Sequence, residues 1–179
     1  MTLRQAGLLA PALVAAGLAG CGPSAKERSE LLAACPQAMR VQDATILTRF
    51  KPGTGRDRTD VLFQAEVGKV SIACKPRSNR VDVDLTMEIL VAEGPALKER
   101  VANVGYFVRL LDAYGNIVQG ANFNADYRFS GNRTREASSE QIAVNIPLAE
   151  GQAGGAFVLA VGLLPTPEEL DYNRRGGGR

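Results

Sequence analysis

The chain has 179 residues, 45% of them hydrophobic and 22% charged, with 21 basic against 19 acidic side chains and a formal net charge of +2. That balance predicts neither a nucleic-acid partner nor electrostatic attraction to a membrane, and the length fits one domain with its tails. No histidine occurs, which excludes a Ser-His-Asp triad and any histidine-ligated metal site.

The chain opens with Arg4, an apolar stretch from Ala6 to Leu18, and the small residues Ala19 and Gly20 ahead of Cys21. A charged start, an apolar core and a small-residue end have the layout of a secretory signal. Ala6 to Gly20 is 15 residues and contains Pro11, short of the roughly 20 apolar residues that span a bilayer. Leu18-Ala19-Gly20-Cys21 resembles the lipobox of bacterial lipoproteins. The resemblance implies cleavage before Cys21 and acylation of its thiol with chains such as palmitate. Such chains contribute about 0.8 kcal/mol per buried methylene, enough for permanent attachment to a membrane. Residues 1–20 are then the signal peptide and 21–34 the lipidated cysteine and tether. In the family an Asp after the cysteine tends to retain the protein at the inner membrane; Gly22 stands there, which favours the outer membrane, facing the periplasm.

Cleavage removes Arg4 and leaves 159 residues with a net charge of +1. With Cys21 acylated, two thiols remain, Cys35 and Cys74, in a compartment where disulfides persist. One bridge is the expectation, with two separate buried thiols as the alternative; a redox pair is disfavoured because no C-x-x-C spacing occurs. In the chain-entropy picture a loop of this size stabilises the fold by about 4 kcal/mol.

Within the tether, Ser24-Ala25-Lys26-Glu27 has the form of a capping box, and Pro36 stops any helix that follows. Extended, residues 22–34 reach about 43 Å at most. From Met39 onward the apolar period is two, the signal of half-buried strands. Val81, Val83, Leu85, Met87 and Ile89 alternate with polar residues, as do Phe123, Ala125, Tyr127 and Phe129, and Ile142, Val144, Ile146 and Leu148. Val61 to Cys74, Val104 to Leu111 and Phe157 to Leu164 are apolar on both sides and predict central strands, and Ala44 to Phe50 predicts another. Gly115-Asn116 reads as a hairpin turn, and Gly151 to Gly155 as a hairpin loop. Short strands without intervening amphipathic helices predict a mainly β fold, an antiparallel two-sheet sandwich of seven or eight strands. The immunoglobulin or fibronectin type is its nearest architecture, although a core tryptophan is absent. Thr166-Pro167-Glu168-Glu169 predicts a short C-terminal helix, with Leu170 turned back to the sandwich. The domain is expected over residues 35–173, followed by a disordered Gly/Arg tail over 174–179.

Candidate chemistry is sparse. No Ser-x-x-Lys pattern, thiolate cluster or calcium loop of D-x-D-x-D-G type occurs, so no cofactor, metal or enzymatic activity is expected. Asp82, Asp84 and Glu88 share one strand face, which reads as solvated, with a calcium site or paired catalytic acids as the sharper alternative. Arg49, Lys51, Arg56 and Arg58 surround Pro52-Gly53-Thr54-Gly55. They are candidates for binding an anionic envelope component, although Asp57 and Asp60 interrupt the run. Tyr106-Phe107 is expected in the core.

Cys35-Pro36, Cys74, Tyr106-Phe107-Val108 followed by Asp112, and Thr166 to Leu170 resemble those of small proteobacterial lipoproteins, a resemblance that carries no activity with it. The expected function is a non-enzymatic, lipid-anchored envelope module that binds a protein partner. The alternative is a small-ligand or glycan-binding lipoprotein using the Arg49–Arg58 loop.

Overall fold

The computed structural model describes Lys26, Glu30, residues 33–53 and residues 55–175. The lipobox, Cys21 and most of the Ser24–Glu27 motif lie outside the described residues. Lys26 and Glu30 are helical and lie 3.9 Å apart as an exposed i,i+4 ion pair. Helix ends at Ala34, and the chain turns at Cys35 and Pro36 into the first strand.

Eight strands follow: β1 (Gln37–Arg40), β2 (Ile46–Phe50), β3 (Val61–Pro76), β4 (Arg80–Glu93), β5 (Val101–Leu111), β6 (Ile117–Arg128), β7 (Arg135–Pro147) and β8 (Val158–Leu163), then helix α1 (Pro167–Arg174). They form a β-sandwich of two four-stranded sheets, ordered β1-β8-β5-β6 and β2-β3-β4-β7. The expected strand β2 starts only at Ile46, because Gln42–Ala44 close a 3-10 turn first. β1 had no signal of its own. It is four residues long and mostly exposed, and it pairs with β8 in parallel, whereas every other pair is antiparallel.

Period-two alternation builds the core. Val81, Val83, Leu85, Met87, Ile89 and Val91 of β4 are all buried and face Ala102, Val104, Tyr106, Val108 and Leu110 of β5, with Leu159, Val161 and Leu163 of β8 beside them. The same alternation corrects one expectation. Tyr106 is buried, but Phe107 is only partly so; as the next residue on a strand it points to the opposite face, where the Arg109 guanidinium lies 5.0 Å from its ring centre.

β3–β4 and β5–β6 are hairpins, and the latter turns at Gly115, whose φ of +83° suits glycine. The Gly151–Gly155 segment is not a hairpin loop: β7 and β8 lie in different sheets, so residues 148–157 carry the chain across the sandwich. A Gly-rich connection has the same local appearance whether its flanking strands pair or cross.

The register gives the sandwich two distinct ends. Gln37 and Leu111 both align with Val158, Pro76 aligns with Val81, and Arg80 with Pro147. The chain therefore enters at the end that carries the β3–β4 turn, the β5–β6 turn and the β7–β8 crossing, here the near end. The Cys35–Cys74 disulfide is formed and ties that entry to β3 of the opposite sheet across 6.1 Å between Cα atoms. At the far end lie the β2–β3 loop, residues 94–100 and the 129–134 turn.

Candidate functional site

The four cations around Pro52 sit at the far end, and three of them are engaged within the molecule. Arg49 Nε lies 2.5 Å from Glu169 Oε1, Arg56 Nη2 2.5 Å from Glu168 Oε2, and Lys51 Nζ 2.5 Å from Asp60 Oδ1. Arg56 also donates to the carbonyls of Gly53 and Gly55 and stacks over Phe50 at 5.2 Å. Arg58 is exposed and forms none of these pairs. The Lys51 hydrogen bond, aided by the Asp57 backbone, holds the Asp60 carboxyl below the usual carboxylate range. This loop and α1 clamp each other, so its guanidiniums have carboxylate partners before any external anion arrives.

The helix itself forms as expected. Thr166 caps it by accepting from Glu169 N, and Glu169 Oε2 accepts from Thr166 N at 2.8 Å. It docks through Tyr172, 5.0 Å edge-on from Phe50, and through Asn173, which donates to the Ile46 carbonyl at 2.6 Å. The helix ends at Arg174, which pairs with Asp43 at 2.9 Å.

Asp82, Asp84 and Glu88 point away from the core, on the outer face of β4. Asp82 accepts from Arg80 at 2.9 Å, Arg77 at 3.2 Å and Asn145 at 2.7 Å, and the two arginines hold its carboxyl below the usual range. Among the described residues no group of three or more Cys, Asp or Glu side chains is arranged to hold a metal.

A polar network that the sequence did not reveal lies between the edge strands β6 and β7. Glu140 accepts from Tyr106 Oη at 2.9 Å and from Ser138 Oγ at 2.7 Å, and Ser138 Oγ lies 2.5 Å from Tyr127 Oη. Burial, and then the Glu140 carboxylate, raise the Tyr106 phenol well above its ordinary range; burial also raises Tyr127. Each polar atom has a partner, so the network is a satisfied inward-facing cluster. Its members lie up to 34 residues apart in sequence, which left no motif to read.

A concavity of about 600 Å³ crosses the outer face of the sheet β2-β3-β4-β7 in its far half. Pairing places Ile46, Glu66, Leu90 and Ala137 side by side across the four strands, with Gln64, Ala92 and Arg135 in the next row. Leu90 is 40% exposed. The trough is lined by Leu90, Ala92, Ala137 and Ile46 together with the polar or charged Gln64, Glu66, Arg133 and Arg135. β7 is an edge strand, so beside the groove runs a row of backbone groups with no further strand paired to them among the described residues. An open trough beside an unpaired strand edge is a geometry in which an extended polypeptide can lie.

Comparison with protein-family models gives no match. Comparison with curated proteins gives none. Among the described residues no helix is long and apolar enough to cross a membrane.

Proposed function

We propose that this chain is a non-enzymatic cell-envelope module, anchored through acylated Cys21 at the periplasmic face of the outer membrane, that binds a protein partner in the groove on β2-β3-β4-β7. One observation carries the reading: the groove lies in the far half of the sandwich, whereas the chain enters at the near end. A tether at one end and an open, chemically mixed trough with a free strand edge towards the other are what a presented binding module needs. The ligand-binding alternative loses support at the Arg49–Arg58 loop, because Arg49, Lys51 and Arg56 are already neutralised by Glu169, Asp60 and Glu168.

The test is metabolic palmitate labelling combined with crosslinked recovery from native envelopes, using the whole chain and its Cys21→Ser variant. The expected outcome is label on the wild type alone and a discrete protein recovered only with the anchored form. Label on both forms, or recovery of glycan without protein, contradicts the reading.

A further inference from the structure

The near end carries an apolar tip that the proposed function leaves unused. The β5–β6 turn displays Tyr114 at 91% exposure, Ile117 at 64% and Val118 at 53%, three of the five large hydrophobic residues that the described surface leaves exposed. The turn is built to hold them there. Asp112 Oδ1 accepts from the backbone N–H groups of Tyr114 at 2.9 Å and Asn116 at 2.8 Å, its Oδ2 accepts from Asn116 Nδ2 at 3.0 Å, and Gly115 takes a positive φ. An aromatic residue presented on a pre-ordered turn, next to two β-branched aliphatics, loses little conformational freedom when it is buried against something else.

The position of the tip names the partner. Leu111, where β5 runs into the turn, and Gln37, where the chain enters the sandwich, align with the same residue, Val158. Gly154 in the β7–β8 crossing packs so closely on the entering chain that a Cβ there would land on the Ala34 carbonyl. The tip and the point where the tether joins therefore share one end. We infer that Tyr114, Ile117 and Val118 insert into the interfacial layer of a lipid bilayer and orient the anchored domain with its groove directed away from the membrane. This rests on the anchoring proposed above. Tyrosine suits the layer, since its ring is apolar and its hydroxyl stays wet. Three side chains are too few to bind a membrane durably by themselves, but an acyl anchor has only to be supplemented by an orienting contact. At the near end Lys75, Arg77 and Arg80 are offset by Asp82, Asp112 and Glu150, so the contact is apolar and independent of headgroup charge.

The chain contains no tryptophan, which permits a single-reporter test. Full-length protein carrying Tyr114→Trp is reconstituted into phosphatidylcholine vesicles with and without brominated acyl chains, and into vesicles that also contain phosphatidylglycerol. Asn132→Trp, in the turn at the opposite end, serves as the reference. The expected result is blue-shifted emission and severalfold stronger bromine quenching at position 114 than at 132, equal in both lipid compositions and abolished by adding Ile117→Asp and Val118→Asp. Water-like emission and equal, weak quenching at the two positions overturn the inference, as does quenching that requires the anionic lipid. Mass measurement of the same sample reports on acylation separately. A chain without acyl groups on Cys21 overturns the anchor and the inference with it, while an acylated chain without quenching at 114 overturns the tip alone.

Discussion

Tyr106 shows how one side chain serves both the core and the polar network. Its ring stacks on Phe123 with centroids 5.2 Å apart, while its hydroxyl donates to Glu140. Tyr106→Phe keeps the ring and removes the donor, leaving Glu140 with Ser138; a loss of about 1–2 kcal/mol is expected in urea unfolding. The pH dependence has a definite sign. The folded-state phenols of Tyr106 and Tyr127 are raised above the ordinary value of 10. Their contribution is therefore complete below that value and declines as pH rises through it, where the unfolded chain releases protons that the folded one keeps. Stability is expected to fall above pH 10 in the wild type and to fall less steeply in Tyr106→Phe; parallel profiles for the two would contradict the assignment. Residue identity alone did not disclose this group, because Tyr106, Tyr127, Ser138 and Glu140 come together only through the packing of separate strands. The Arg49–Arg58 run was legible as a basic cluster. That Glu168 and Glu169 neutralise two of its arginines was not, since the partners lie more than a hundred residues downstream.

At the scale of elements, alternation made most strands legible. It could not reveal β1, whose four residues expose Met39 and pair in parallel with β8, nor distinguish a hairpin from a crossing at Gly151–Gly155. Both depend on which sheet a strand joins, and that is decided by contacts distant in sequence. The Cys35–Cys74 bridge staples the entry of β1 to β3 of the other sheet and closes a separation of 39 residues. Reduction, or the paired Cys35→Ala and Cys74→Ala change, is expected to cost about 2–4 kcal/mol, read as a lower denaturant midpoint; an unchanged midpoint would show that the staple adds nothing. Gly154→Ala tests the same junction without touching the thiols. Its Cβ would meet the Ala34 carbonyl and Val81, and overpacking of this kind costs about 1–3 kcal/mol; wild-type thermal stability in that variant would contradict the packing described.

The molecule as a whole divides its tasks between its ends. The near end gathers the chain entry, the disulfide and the Tyr114 tip, and the far half of the second sheet holds the groove. The far end proper is closed by the α1 clamp, where Asn173 covers a backbone carbonyl of the edge strand β2. Among the described residues no strand pairs with the outer edge of β7 beside the groove. The sandwich and its helix were readable from period and capping, but the groove was not: it arises from cross-strand neighbours, Ile46, Glu66, Leu90 and Ala137, that no linear motif contains. The central claim is that this row meets a protein partner. The most direct measurement places a photo-activated benzoylphenylalanine at Leu90 of the anchored protein, with the same probe at Asn122 on the outer face of the other sheet as reference. Irradiation of native envelopes should yield one discrete protein adduct from position 90 and none from 122. Identical adduct patterns from the two positions, or no protein adduct from either, would contradict the account.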